Sequence, residues 1–274
     1  MKTPEQLKGT IRSMAAKKNL RAQEILQMFL FERVLERLAN SAYKNNFILK
    51  GGLLISSMIG IGERTTMDMD TTVRGIQMEE DEIVKAVKEI LAVDVGDGIV
   101  FEYQGIEPIR EDDAYNNFRV HLRAKYGKID SPMKIDVTTG DVITPAAIQY
   151  DFPMLFDDKS VPVMAYTLET ILAEKYETII RRNIGTTRAR DYYDLHTLYR
   201  SRKDEVRLDV LKAAVLHPDF MLRFAQCTRG SKVRDESCGT DSVRMYGRRT
   251  PYEQRGGYNG IFPRLRPHRE QCVR

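Results

Sequence analysis

Residues 50–70, KGGLLISSMIGIGERTTMDMD, set two glycines at one end of a short stretch and two aspartates, Asp68 and Asp70, at the other. Met-Asp-Met-Asp alternates with period two, the pattern of a β-strand, whose successive side chains leave opposite faces. Asp68 and Asp70 then share one face and Met67 and Met69 the other. Like charges held so close repel, which costs free energy unless a cation sits between them. At the opposite end, Gly51 and Gly52 let backbone N–H groups approach an anion. The apolar run from Leu53 to Ile61, read as a helix, adds its positive end. Mg²⁺ binds through one or two carboxylates plus substrate phosphates, so the stretch suits a metal-bound triphosphate. Gly51, Gly52 and Thr66 are the candidate nucleotide-binding residues of this segment, and Asp68 and Asp70 the candidate metal ligands.

A third carboxylate follows in KIDV, where Asp136 alternates with Ile135 and Val137 and so leaves the sheet opposite two apolar neighbours. It could complete a metal triad from an adjacent strand or simply face solvent. Asp130, beside Ser131-Pro132, reads as turn chemistry. In TLETILAEKYETII, Leu168, Leu172, Lys175 and Ile179 recur at helical spacing, so Lys175 lies on an apolar stripe, where lysine is rare without a partner. Asp191 shares a face with Leu195 and Leu198 in the next helical segment, with Asp194 flanking it. Two readings of Lys175 and Asp191 stand: a structural ion pair, or a phosphate-binding lysine and an aspartate that orients or activates a hydroxyl.

The elements that must position these groups are legible in outline. Residues 5–44 read as helix, with Ile25, Met28, Phe29, Val34, Leu35 and Leu38 spaced by helical turns. Residues 46–49 form a short strand, and 78–93 an amphipathic helix with acidic residues in its first turn. Between 99 and 165, β-like runs such as GIVFEYQGI, FRVHLRAKY and MKIDVTTG alternate with the turn residues Gly127, Pro132 and Gly140. From Thr167, a plausible N-cap, the texture turns helical, through TRARDYYDLHTLYRSR and DEVRLDVLKAAVLH. The expected layout is a strand-rich core over 1–165, a helical domain over 166–225 that completes the site, and an atypical segment over 226–274.

Composition narrows the classes. The chain has 274 residues and a formal net charge of +4. From residue 226 onward there are ten Arg and one Lys against five acidic residues, which leaves the rest close to neutral. That last segment has neither helical nor strand period. It reads as a disordered basic arm that contacts RNA, or as an unrelated reading frame in place of the natural C-terminus. Cys227, Cys238 and Cys272 lack the spacing of a zinc site. No run of apolar residues is long enough to span a bilayer and the start lacks the apolar centre of a secretory signal, so a cytoplasmic location and no membrane partner are expected. His196 reads as a packed or solvent-facing side chain. Tyr192 and Tyr193 could stack on a base or serve packing. Arg181, Arg182, Arg188 and Arg190 surround a connection between helices that could receive triphosphate or an RNA backbone.

A glycine turn, a short helix and Asp-x-Asp together resemble the nucleotidyltransferase signature. The set FILKGGLLI, ERTTMDMDTTVRG, MKIDV, LAEKYETII and RARDYYDLHTL, in this order over residues 20–225, resembles the AbiEii/AbiGii toxin family of bacterial toxin–antitoxin systems. The resemblance implies an α+β fold: a nucleotidyltransferase-like mixed β-sheet core with flanking helices, followed by a helical C-terminal domain. It implies Asp68, Asp70, Lys175 and Asp191 as catalytic residues, Mg²⁺ as cofactor, an NTP as substrate, an RNA acceptor (the tRNA 3′ end) and a separately encoded antitoxin. Two departures stand out. Gly51-Gly52 replaces the Gly-Ser of the wider superfamily, which removes a hydroxyl, and the segment after Phe224 lacks the expected helical ending. Transfer to a small molecule or a protein, and a nucleotide-binding module without turnover, are the rival readings.

Overall fold

Apolar spacing over residues 5–44 predicts one helix; the computed structural model shows two, α1 (Pro4–Lys18) and α2 (Ala22–Ala39). The break is local chemistry. Asn19 ends α1 in a left-handed conformation with φ of 53°, which Asn tolerates better than most residues because its short polar side chain can bond locally. Glu24 then accepts the backbone N–H of Arg21 at 3.0 Å and restarts the chain as α2. The structure describes residues 2–109, 117–182 and 189–221, with backbone alone at 181 and 182; the segment from residue 226 onward lies outside these. Among the described residues no helix is long and apolar enough to cross a membrane.

The predicted stripe of α2 is buried throughout, but burial continues around the helix to Glu32, Arg33 and Arg37. Buried charge demands a partner. The Arg37 guanidinium donates to both Asp97 oxygens at 2.7 and 2.8 Å and to the Ile99 carbonyl at 2.8 Å. Burial pushes the Asp97 carboxyl up, but the Arg37 fork outweighs it and holds the group below the usual carboxylate range. A depressed folded pKa means stability that is present at neutral pH and lost as pH falls through that lowered value. Asp97→Ala is therefore expected to cost about 3–5 kcal/mol at neutral pH, because it strands a buried guanidinium. Urea unfolding should show the deficit shrinking toward acid.

Seven strands form one mixed sheet: β1 (Phe47–Lys50), β2 (Met69–Val73), β3 (Val100–Pro108), β4 (Phe118–Tyr126), β5 (Ile129–Thr138), β6 (Ile148–Pro153) and β7 (Ser160–Ala165). Their order is β3-β4-β5-β2-β1-β7-β6. β1 runs parallel to β7 and β2 parallel to β5, and the remaining neighbours are antiparallel. Helices α3 (Gly51–Ile59), α4 (Glu80–Leu91), α5 (Leu168–Arg182), α6 (Ala189–Arg202) and α7 (Leu208–Val215), with a 3₁₀ turn at Lys203–Glu205, complete the described elements. This is the expected α+β mixed sheet with flanking helices. In α4, Ile83, Ala86, Val87, Ile90 and Leu91 are buried at the spacing of one helical face, and Glu80, Asp81 and Glu82 occupy its first turn. Thr167 caps α5 by accepting the Thr170 N–H at 3.1 Å.

Two local readings need correction. Pro132 and Asp130, expected in a turn, lie inside β5, opposite Arg123 and Lys125 of β4. β2 pairs with β5 only from Ile135 onward, so at Pro132 the other edge of the strand is uncovered and a missing N–H breaks no ladder there. Asp130 faces out and pairs with Arg123 at 2.5 Å. β2 also starts later than the alternation implies. Met69 is 2% exposed in the strand, whereas Met67 is 41% exposed in the bend before it.

Candidate active site

Strand register builds the floor of the site. Lys50 on β1 is the Cα partner of Asp70 on β2, Asp70 of Asp136 on β5, and Asp136 of Arg119 on β4. Directly paired residues on neighbouring strands share a face. The sheet therefore carries a transverse row of one cation, two carboxylates and a second cation. Asp136 gives both oxygens to Arg119, each at 2.8 Å. Lys50 Nζ lies 2.5 Å from Asp141 Oδ2, which also accepts from Thr138 Oγ1 at 2.8 Å. Burial opposes the Lys50 charge, but Glu174 and Asp141 outweigh it, so the ammonium is held above its ordinary pKa. Asp70 is raised as well, which for a carboxylate disfavours the charged form: burial, then the charge of Asp136 and finally that of Asp68, push it up, against the pull of Lys50 and the Gly52 N–H.

The glycine pair has a steric reason as well as the expected electrostatic one. Gly51 opens α3 with φ of +66°, a conformation side chains rarely adopt, and a Cβ there would sit 2.8 Å from the Asp70 Cβ and overlap its carboxylate. A Cβ on Gly52 would meet Arg64 Nη2 at 2.9 Å and Thr66 Oγ1 at 3.0 Å. The Gly52 N–H, at the start of α3, points to Asp70 Oδ2 across 3.4 Å. Thr66 Oγ1 donates to the Asp68 carbonyl at 3.1 Å, which shapes the bend that presents Asp68. Gly51→Ala is expected to force Asp70 aside. We expect it to abolish activity and to lower the melting temperature, whereas Gly9→Ala, inside α1 where an added Cβ meets nothing, should leave activity unchanged and raise the melting temperature slightly.

Helices α5 and α6 close the other side. Lys175 Nζ lies 2.7 Å from Asp191 Oδ1 and 3.1 Å from Asp194 Oδ2, and Arg64 Nε donates to Asp194 Oδ1 at 2.9 Å. Asp194 is completely buried and ties the loop before β2 to both helices. The second oxygen of Asp191, Oδ2, is buried and has no hydrogen-bond partner among the described residues. An under-satisfied buried acceptor carries a desolvation cost that a hydrogen bond would relieve.

Between these walls lies a cleft of about 650 Å³. Its lining holds every one of the predicted residues Gly51, Gly52, Thr66, Asp68, Asp70, Lys175 and Asp191, drawn from segments more than a hundred residues apart. Asp136 stands beside Asp70 but is committed to Arg119 and does not line the cleft. Of the arginine group, Arg190 lines the cleft; the side chains of Arg181, Arg182 and Arg188 lie outside the described residues. Asp68 and Asp70 offer hard oxygen ligands, and burial of Asp70 beside two like charges is relieved by a cation, so the pair fits Mg²⁺. Among the described residues no three His, Cys, Asp or Glu side chains cluster around a metal position, and Mg²⁺ commonly completes its shell with water and substrate phosphate. Sequence reasoning missed Lys50, Glu174 and Arg119. Lys50 had a signal, a lysine at the end of a strand before two glycines; Arg119 had none, because only the β4–β5 register brings it to Asp136.

Three solved structures of low identity align with this chain over most of its length. JHP933 from Helicobacter pylori is 19% identical with a TM-score of 0.47, over 70% of this chain and 72% of that one. An antigenic nucleotidyltransferase-like protein from Paracoccidioides brasiliensis is 14% identical with a TM-score of 0.42, over 73% of this chain and 92% of that one. The antibiotic-resistance factor ANT(2'')-Ia is 13% identical with a TM-score of 0.43, over 75% of this chain and 97% of that one. No curated protein matches the sequence. Membership rests on the family description "Nucleotidyl transferase AbiEii toxin, Type IV TA system", which matches residues 33–237 and so takes in the glycine turn, both aspartates, Lys175 and Asp191. The chain belongs to the AbiEii nucleotidyl transferase toxin family.

Proposed function

We propose that this protein is a cytoplasmic toxin that transfers nucleotides from an NTP to an RNA acceptor, the 3′ end of tRNA, and that a separately encoded antitoxin relieves the resulting growth arrest. The convergence of Asp68, Asp70, Lys175 and Asp191 on one cleft behind a glycine-opened helix carries this reading. Asp68 and Asp70 would hold Mg²⁺, which supplies charge neutralisation to the phosphates when bound. Lys175 binds the triphosphate, and the N–H groups of the Gly51-Gly52 turn approach it from the other side. Asp191 orients the acceptor hydroxyl and takes its proton on its carboxylate. The acceptor oxygen forms a bond to the α-phosphorus, the bond to the β-phosphate oxygen breaks in line, and pyrophosphate leaves. Asp136, locked by Arg119, fixes the strand face on which Asp70 stands, and Lys50 remains a fixed cation at the other end of that row.

Incubation with each radiolabelled NTP and total bacterial RNA, resolved on a gel that separates RNA from protein, tests this directly. Label in the RNA band, sharpened to tRNA size, is the expected result. Label in protein, in a small-molecule product, or in nothing despite nucleotide binding would overturn the RNA assignment.

A further inference from the structure

Arg37, Arg119 and Arg123 each give two nitrogens to one aspartate, to Asp97, Asp136 and Asp130 in turn. Such a fork matches both oxygens of a carboxylate and uses a whole edge of the guanidinium. Arg64 departs from this pattern. Only its Nε reaches Asp194 Oδ1, at 2.9 Å, and the second oxygen of that carboxylate lies 3.1 Å from Lys175 Nζ. Nη1 donates to the Thr65 carbonyl. Nη2, the nitrogen that completes the fork in Arg119 and Arg123, makes no hydrogen bond in Arg64 among the described residues. A guanidinium cannot shed its charge, so a donor left over on a side chain only 9% exposed calls for an oxygen from outside the chain.

That donor belongs to the cleft. Arg64 lines it together with Gly52 and Lys175. A Cβ on Gly52 would meet Nη2 at 2.9 Å, so the bare glycine leaves room for the nitrogen at the start of α3, where helix N–H groups favour an anion. The surplus is one of donors and not of net charge. In the lining, Lys50, Arg64, Lys175 and Arg190 are matched by Asp68, Asp70, Glu174 and Asp191, yet none of these carboxylates accepts from Nη2. A cation held by Asp68 and Asp70 would tip the balance toward a polyanion.

We propose that Arg64 is a substrate-binding residue whose Nη2 donates to a non-bridging oxygen of the NTP triphosphate, beside the Gly51-Gly52 turn. Asp194, bonded to Arg64 on one oxygen and facing Lys175 with the other, sets the spacing of the two cations along the phosphates. This rests on the nucleotidyl-transfer reading given above and deepens it by naming a further residue for the NTP.

Isothermal titration calorimetry of the full chain with inorganic tripolyphosphate, and with each NTP in Mg²⁺ buffer, tests this. Arg64→Lys keeps a cation for Asp194 but has no second edge to offer. It should melt close to wild type yet bind tripolyphosphate and NTP about tenfold or more weakly. The KM for NTP should rise alike, with kcat at saturating NTP preserved and the KM for RNA unchanged. Gly52→Ala leaves every charge in place but sets a Cβ against Nη2, so it should weaken tripolyphosphate binding as well, and it decides the outcome if Arg64→Lys does not fold. Unchanged affinity in folded Arg64→Lys, or in Gly52→Ala, makes Arg64 a structural tie to Asp194 and refutes the proposal while the transfer reading stands. A raised KM for RNA with NTP affinity intact would move Arg64 to the acceptor's phosphates and refutes it too. If wild type binds neither tripolyphosphate nor NTP, the proposal and the transfer reading fall together.

Discussion

Asp70→Asn is expected to give a folded protein that transfers no measurable nucleotide. Asp70 sits on the sheet floor with Asp136 on the neighbouring strand and Asp68 one residue before β2. Burial first, and then those two carboxylates, hold its pKa above the ordinary value. A raised folded pKa means that ionisation costs stability. The contribution is fully present below the unfolded value and is lost as pH rises through the folded one. Asparagine removes that cost, so in Mg²⁺-free buffer the variant should be at least as stable as wild type at neutral pH. The difference should close as pH falls through the raised range, in chemical unfolding at a series of pH values. Turnover, by contrast, should fall on the order of 10³-fold or more, because the proposed site for the Mg²⁺ that neutralises the reacting phosphates loses a ligand. Asp68→Asn should behave alike in activity. Full transfer by either variant would remove the assignment of the pair to the metal.

The second large effect concerns Lys175 and Asp191, where the same contact supports opposite expectations. A purely structural buried pair, broken on one side, destabilises by roughly 3–5 kcal/mol. These side chains face an open cleft, at 18% and 11% exposure, so water can replace the lost partner and the cost should be nearer 1–2 kcal/mol. Lys175→Ala and Asp191→Ala are therefore expected to remain folded, to lose growth arrest, and to lose transfer by about 10³-fold, as the transition-state roles proposed for them require. They should differ in one respect. Lys175→Ala is expected to weaken triphosphate binding and Asp191→Ala to leave it nearly intact, since the proposed partner of Asp191 is the acceptor hydroxyl. Asp194→Ala supplies the contrast: fully buried and shared by Arg64 and Lys175, it should cost stability foremost. Unfolded Lys175 and Asp191 variants whose residual folded fraction transfers normally would make the pair structural.

What the sequence determined by itself was local and periodic. Period-two alternation located β4, β5 and the Asp-bearing strand, helical spacing located α4, α5 and α6, and Thr167 marked where α5 starts. The spacing of Gly51-Gly52, Asp68, Asp70, Lys175 and Asp191 was enough to nominate a site, since all but Asp68, which lies in the bend before β2, sit on elements the pattern reveals. It failed where a short-range cue competes with a long-range pairing: Pro132 looks like a turn until the uncovered edge of β5 is known, and one helix over residues 5–44 is broken by a single left-handed asparagine. Only the tertiary structure decided which charges face which. Strand register alone lines up Lys50, Asp70, Asp136 and Arg119, and packing of α6 against α3 brings Arg64 to Asp194 across 130 residues. Such contacts leave no period in the chain, because the partners lie on different elements and their separation in sequence carries no information about their distance in space.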